Sequence, residues 1–255
     1  MPERDAAELL RDAKRVVVFT GAGMSAESGV PTFRDALTGL WARFDPKTLA
    51  TPEAFAADPS LVWGWYEWRR AEAQRVRPNP GHEAVATIEA HIPGTVVITQ
   101  NVDDLHERAG SHAPIHLHGS LFAPRCSSCG RPAPPAALRP EGEPDGRIAP
   151  PACAGCGAPV RPGVVWFGEQ LPTNALSAAT EAAFGCDLLF TVGTSGLVYP
   201  AAEIPYVAAR TGATVVQINP EPTALDAVAD VNLRGPAARI LPDLVARAWG
   251  LGGGA

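Results

Sequence analysis

Four cysteines, one histidine and a set of polar residues at the ends of apolar runs are the groups with chemistry to offer in this sequence. Cys126-x-x-Cys129 and Cys153-x-x-Cys156 form two rubredoxin-like knuckles separated by 23 residues, an arrangement that suits one tetrahedral Zn²⁺. Four thiolates leave no position for water, so this zinc is expected to be structural. Seven prolines fall between positions 131 and 151, with almost no apolar periodicity, and nothing else in that segment could hold it together. Iron suits less well, because no other redox feature accompanies the cysteines. Cys186 leads into the apolar run 187–192 and reads as a core residue.

His118 closes the run Ile115-His116-Leu117-His118 and precedes Gly119-Ser120. An imidazole titrates near neutrality, so His118 is the candidate general base. His116, two residues earlier, is taken as the weaker choice. Asn101 and Asp103, just after Thr95–Thr99, could cap the next helix. Alternatively, an amide and a carboxylate there could bind a polar amide ligand. A third feature is Gly21-Ala22-Gly23-Met24-Ser25-Ala26-Glu27-Ser28-Gly29-Val30-Pro31-Thr32-Phe33-Arg34, directly after Val16–Phe19. Glycines ending a strand let backbone N–H groups approach phosphates. Gly21, Gly23 and Ala26 fit G-x-G-x-x-[GA], but Gly29 and Pro31 break the helix that a dehydrogenase fingerprint should open. No strand-terminal acid follows about 20 residues on, either. A dinucleotide bound in an unusual way is implied, with Ser25, Ser28, Phe33 and Arg34 brought to it by a longer excursion.

The elements that must position these groups alternate between buried strands and helices. Strands are expected at 15–20, 95–99, 115–118, 163–167, 187–192, 214–218 and, briefly, 230–233. Helices are expected at 4–13, from Thr51-Pro52-Glu53, from Asp58-Pro59-Ser60 to Val76, at 81–91, 105–109, 173–184, 200–211 and after Gly235-Pro236. The pattern predicts an α/β fold, a Rossmann-like parallel sheet domain with a smaller zinc-binding insertion domain. The core is expected over about 1–35, 77–121 and 161–255, a helical insertion over 36–76 and a zinc ribbon over 122–160. In an open parallel sheet the ligand lies beyond the carboxyl ends of the strands. Gln100, Asn101, Asp103 and His118 are therefore expected on one edge with the glycine loop.

The chain has 255 residues and a net charge of −6, which disfavours nucleic acid and anionic membrane as partners. Its N-terminus lacks an apolar secretory region and no run could cross a bilayer. A cytoplasmic location is expected, where the cysteines stay reduced.

The glycine loop, Thr99-Gln100-Asn101-Val102-Asp103, His116-Leu117-His118-Gly119-Ser120, the two knuckles, Val165-Trp166-Phe167-Gly168-Glu169, Val192-Gly193-Thr194-Ser195 and Ile218-Asn219-Pro220-Glu221 together resemble the sirtuins. The likeness covers nearly the whole chain, in that family's order. It implies an NAD-dependent protein lysine deacylase, with NAD as co-substrate, one structural Zn²⁺ and acylated lysine peptides as partners. The products would be free lysine, nicotinamide and O-acyl-ADP-ribose. By residue-by-residue match, His118 is the base. Gln100, Asn101, Val102 and Asp103 attend the nicotinamide ribose and carboxamide, and Gly21, Ala22, Gly23, Ser25, Ala26, Glu27, Phe33 and Arg34 the phosphate and reaction region. Gly193, Thr194 and Ser195 flank the phosphates and adenosine, Asn219, Pro220 and Glu221 the adenosine ribose, and Ala237 the adenine. Glu221 supplies the carboxylate that the first half of the sheet lacks.

Tyr66 and Arg69 lie three apart on a predicted helix, hence on one face. A phenol beside a guanidinium makes a carboxylate receptor, although Arg69 could instead pair with Glu72. Tyr-x-x-Arg at this place resembles the class III sirtuins, which remove succinyl, malonyl and glutaryl groups, and Ala26 matches their small pocket residue. Trp65 departs from the phenylalanine many relatives carry. Competing readings are a plain deacetylase, a protein ADP-ribosyltransferase, an NAD(P)-dependent oxidoreductase and a non-enzymatic zinc-ribbon adaptor. The break at Gly29–Pro31 argues against the oxidoreductase, and the acidic balance with polar strand ends argues against the adaptor.

Overall fold

The structure, a computed structural model, describes residues 5–30, 45–134 and 146–250. Strands β1 (Val16–Thr20), β2 (Val96–Thr99), β3 (Ile115–His116), β6 (Leu188–Val192), β7 (Thr214–Ile218) and β8 (Val231–Leu233) make one sheet in the order β3-β2-β1-β6-β7-β8. Every pairing in it is parallel. This is the doubly wound order, in which the direction of winding reverses between β1 and β6.

The apolar runs follow from burial on both faces. Val16, Val18, Val97, Leu188, Phe190 and Val216 pack against α1 (Ala6–Asp12), α6 (Pro80–His91) and α10 (Ala237–Trp249). Val17, Phe19, Ile98, Leu189 and Val215 alternate to the other face, against α8 (Thr173–Gly185) and α9 (Ile204–Arg210). Each fully buried Leu or Phe in these layers contributes roughly 1.5–3 kcal/mol.

The parallel ladders continue one residue past the strands. Gln100 N donates to the Thr20 carbonyl at 2.9 Å, Gly21 N to Val192 at 2.9 Å, Gly193 N to Ile218 at 3.0 Å and Asn219 N to Leu233 at 3.2 Å. These bonds bring the first residues after four strands into a single row on the carboxyl edge.

A second unit packs beside the sheet. The helices α4 (Pro52–Ala57) and α5 (Pro59–Arg75) start where the sequence signals them, with Thr51 accepting from Ala54 N at 3.1 Å and Asp58 from Leu61 N at 3.0 Å. Phe55, Val62, Trp65 and Tyr66 form a core with Leu121, Val164 and Trp166. The latter three belong to, or directly follow, β4 (Gly119–Cys126) and β5 (Val160–Val164), a two-stranded antiparallel sheet.

That sheet corrects two expectations. The run 163–167 is not a strand of the parallel sheet: β5 begins earlier, at Val160, and ends at Val164. Trp166 owes its burial to α4 and α5 instead. The strand β4 was not expected at all, because Gly119-Ser120-Leu121-Phe122-Ala123-Pro124-Arg125-Cys126 has no clean alternation and its register shifts between Ser120 and Arg125. Gly119 has φ +72°, and a Cβ there would meet the Gly163 carbonyl oxygen at 2.1 Å, so the start of this pairing requires glycine.

Candidate active site

A cavity of about 770 Å³ opens at the carboxyl edge of the sheet and runs to the second unit, within the size range of small-molecule sites. Its wall contains Gly21, Ala22, Gly23, Ser25, Gln100, Asn101, Val102, Asp103, His118, Gly193, Thr194, Ser195, Asn219 and Glu221, together with Tyr66 and Arg69. Residues from positions 21 to 221 thus meet at the switch point.

Other expected site residues stand elsewhere. Ala26 and Glu27 are exposed outside the cavity wall, and the Glu27 carboxylate accepts from Ala238 N at 2.9 Å at the start of α10. Pro220 and Ala237 are not in the wall, and Ala237 is buried against Gly81. Ser28 is tied to Asn79 Nδ2 at 3.0 Å. Phe33 and Arg34 lie outside the described residues.

Not every N–H of the glycine loop is available to a phosphate. Gly21 N and Gly23 N are spent on Val192 and Gly193 carbonyls. The glycines instead let two strand ends close together: a Cβ on Gly23 would lie 2.7 Å from Gly193 Cα, and one on Gly193, at φ +60°, 2.4 Å from Met24 N. The helix opened there, α2 (Gly23–Ala26), lasts four residues, and Gly29 at φ +90° follows it.

A buried polar layer holds the site from below. Asn101 Nδ2 donates to the Gly21 carbonyl at 3.1 Å and to Ser25 Oγ at 3.0 Å, joining the end of β2 to the glycine loop. Asp103 also performs the modest role foreseen for it, accepting from Leu105 N at 3.1 Å at the start of α7 (Leu105–Arg108). Beneath Asn101, its N–H donates to Thr99 Oγ1 at 3.0 Å, Thr20 Oγ1 donates to Thr99 Oγ1 at 2.9 Å, and His106 Nε2 lies 3.0 Å from Thr20 Oγ1. His106 packs edge-on to His82, with ring centroids 4.9 Å apart. No signal marked this layer in the sequence, since it forms only when β1 and β2 pair in register, Thr20 beside Thr99.

The four knuckle cysteines gather as expected, their sulfurs all within 4.8 Å of one another. Sγ separations are 3.4 Å for Cys126–Cys156, 3.8 Å for Cys129–Cys153 and 3.6 Å for Cys129–Cys156. A zinc with bonds of about 2.3 Å needs tetrahedral edges of about 3.8 Å, so the set fits Zn²⁺ with four protein ligands. Ser128 N and Cys129 N donate to Cys126 Sγ, and Gly155 N to Cys153 Sγ, each at 3.4 Å, bonds that favour thiolates. Cys186 is a core residue whose thiol donates to the Ala183 carbonyl at 3.2 Å, and burial pushes its pKa to about 11.

The Sir2 family pattern matches residues 21–200. The chain belongs to the Sir2 family, the sirtuins. It is 61% identical over 237 residues to an NAD-dependent protein deacylase of Methylococcus capsulatus, covering 92% of this chain and 93% of that one. A crystal structure of a Sir2 homolog–NAD complex superimposes with a TM-score of 0.87 at 43% identity, covering 96% and 93% of the two chains. The structure of Sir2Af2 bound to a myristoylated histone peptide matches with a TM-score of 0.74 at 35% identity, over 96% and 95%.

In this sirtuin the two neighbouring histidines differ in charge preference. His118 Nδ1 lies 2.9 Å from the Gln100 carbonyl, which must accept, so Nδ1 carries the proton and Nε2 is the basic nitrogen. Burial lowers the His118 pKa, partly offset by that carbonyl. Burial also disfavours charge on His116, but the Glu107 carboxylate at 2.7 Å and the Asn101 carbonyl outweigh it and raise its pKa. His116 is thus held by structure, and His118 stays neutral and able to accept a proton. Burial raises the pKa of Asp103 despite its bonds from Leu105 N and Ser25. Among the described residues no helix is long and apolar enough to cross a membrane.

Proposed function

We propose that the chain is an NAD-dependent protein lysine deacylase that prefers acyl groups ending in a carboxylate, succinyl and malonyl before acetyl. Bound NAD supplies the ribose carbon that the acyl oxygen attacks and nicotinamide as leaving group. His118 accepts a ribose hydroxyl proton at Nε2, its proton-bearing Nδ1 being locked on Gln100. Asn101, Asp103 and Ser25 line the same end of the cavity and offer an amide, a carboxylate and a hydroxyl to the carboxamide and ribose. Asn219 and Glu221 stand at the β7 end, where the adenosine ribose belongs in this fold. Phe33 and Arg34 are assigned to the reaction region by family likeness.

The acyl preference rests on one observation: Tyr66 and Arg69, on adjacent turns of α5, both face the cavity that His118 lines. Arg69 is half-buried, with its guanidinium carbon 5.5 Å from the Tyr66 ring centroid and 5.1 Å from that of Trp65. Burial lowers its pKa, opposed by Tyr66 and Asp103. Burial likewise raises that of the Tyr66 phenol, which remains a donor at neutral pH. A guanidinium and a phenol in a partly desolvated pocket discriminate strongly for an acyl carboxylate. The relatives named as deacylases and the complex with an acylated peptide support the substrate class. The net charge of −6 supports peptide over nucleic acid or membrane, and a four-cysteine zinc site suits the reducing cytoplasm. Substituting Arg69→Met should lower the ratio of succinyl- to acetyl-peptide kcat/KM by about 10- to 100-fold, the worth of a charged hydrogen bond. An unaltered ratio rejects the carboxylate receptor.

A further inference from the structure

The receptor pair is held from behind by a group outside its own helix. Trp166 is 3% exposed, and its indole Nε1–H donates to the Tyr66 hydroxyl oxygen at 3.1 Å. The indole itself is fixed on several sides. The Arg161 guanidinium lies 3.4 Å over its ring centroid, Phe55 packs at 5.3 Å, and its backbone N–H donates to Glu169 Oε2 at 2.8 Å. Arg161 and Glu169 form a two-pronged ion pair, at 2.5 and 2.9 Å, and Arg161 Nη2 also donates to the Val164 carbonyl at 3.1 Å.

The consequence for Tyr66 is a matter of counting protons. A phenol has one hydrogen to donate and two lone pairs to accept with, an indole N–H only donates, and a guanidinium only donates. The Tyr66 oxygen accepts from Trp166 Nε1, and the Arg69 guanidinium beside it, its carbon 5.5 Å from the Tyr66 ring centroid, could only donate. The Tyr66 hydrogen can go to neither, and Tyr66 borders the cavity, where a substrate group could accept it. A carboxylate is the strongest acceptor a substrate could bring.

We propose that Trp166 is a specificity-positioning residue, whose indole N–H, anchored by Arg161 and Glu169, turns the Tyr66 hydroxyl hydrogen toward the acyl group and so favours acyl chains that end in a carboxylate. The proposal rests on the carboxylate-acyl reading above and adds a residue 100 positions from Tyr66 to it. Trp166 borders the same cavity, but its indole N–H is committed to the Tyr66 hydroxyl and its effect on the acyl group runs through Tyr66.

The test measures kcat and KM for succinyl- and acetyl-lysine forms of one peptide, at saturating NAD, in wild type, Trp166→Phe, Tyr66→Phe and the double variant. Trp166→Phe should raise the succinyl KM relative to the acetyl KM by about fivefold, the worth of one neutral hydrogen bond, with the two kcat values changing in parallel. The double variant should show the same succinyl-to-acetyl ratio as Tyr66→Phe alone, because Trp166 has no effect once the hydroxyl is gone. Equal losses on both peptides, or losses that multiply in the double variant, overturn the proposal. If Trp166→Phe does not fold, replacing Trp166 with 3-benzothienylalanine, which keeps the shape and lacks the N–H, must give the same selective rise in KM, and an unchanged KM ratio overturns it. A wild type without preference for the succinyl peptide defeats the underlying reading, whereas a preference that survives loss of the N–H defeats the role of Trp166 alone.

Discussion

Acidification should weaken this fold through the histidine pair under the site, and His106→Gln should remove a defined part of that weakness. His82 and His106 are almost fully buried. Burial lowers their pKa values to about 4 and about 3, His82 adding to the shift of His106. Their tautomers follow from their partners. Asn79 N donates to His82 Nδ1 at 3.3 Å, so His82 carries its proton on Nε2. His106 Nε2 donates to Thr20 Oγ1, whose own hydrogen goes to Thr99, so His106 Nδ1 is bare. Among the described residues those two remaining nitrogens, one donor and one acceptor, have no hydrogen-bond partner. Charging either ring would bury a cation beside a second imidazole, away from water. In the unfolded chain both titrate near 6.5, so below that pH the unfolded state binds more protons and stability falls as pH falls. Each ring contributes a slope of about 1.4 kcal/mol per pH unit between about pH 6 and the folded value. At pH 5 the loss from His106 alone is about 2 kcal/mol. His106→Gln keeps an amide donor for Thr20 and removes the titration. Urea unfolding of both proteins at several pH values from 7.5 to 5 should show a shallower slope in the variant, by about one proton. Equal slopes would show that His106 is not held neutral, and the account of the polar layer under Asn101 would fail with it.

The acid limb of kcat/KM should have its midpoint below the ordinary histidine value of about 6.5, because burial favours neutral His118 and only the neutral form can accept a proton. A limb centred above 6.5 would move the base elsewhere. Cys129→Ser should lower bound zinc from one per chain to well below one, measured by elemental analysis, with a thermal midpoint lower by several degrees, since that ion would bind cysteines of both knuckles. Retained stoichiometric zinc would reject a four-thiolate site.

How much was visible in the sequence depended on whether a feature is local. The knuckle cysteines, the caps at Thr51 and Asp58 and the apolar runs of the parallel sheet are set by spacing within a few residues, and these form as expected. Strand alternation does not separate His116 from His118, which stand two apart and would share a face; β3 ends at His116, and only their partners distinguish them, the Gln100 carbonyl for His118 and the Glu107 carboxylate with the Asn101 carbonyl for His116. The break expected at Gly29 forms, since α2 ends at Ala26 and Gly29 follows at φ +90°, while the Phe33 and Arg34 that it was expected to deliver lie outside the described residues. Features that depend on distant pairing were not visible. The run 163–167 looked like a strand because Val165, Trp166 and Phe167 are apolar. Trp166, however, is buried by α4 and α5, and β5 takes its partner from β4, where Gly119 meets Gly163. The Thr20–Thr99–His106 layer and the Trp166–Tyr66 bond are of the same kind. Their residues are common core and surface types, and only register and packing reveal what they do.

The central claim is tested most directly by mass spectrometry of one lysine peptide in succinyl, malonyl and acetyl forms, incubated with NAD and either wild-type protein or His118→Ala. The account predicts free lysine, nicotinamide and O-acyl-ADP-ribose in equal amounts, most rapidly from the succinyl and malonyl peptides, and a loss of at least about 100-fold in the variant, the low end for a general base. Acyl-peptide left intact, deacylation without nicotinamide release, or full turnover by His118→Ala would contradict it.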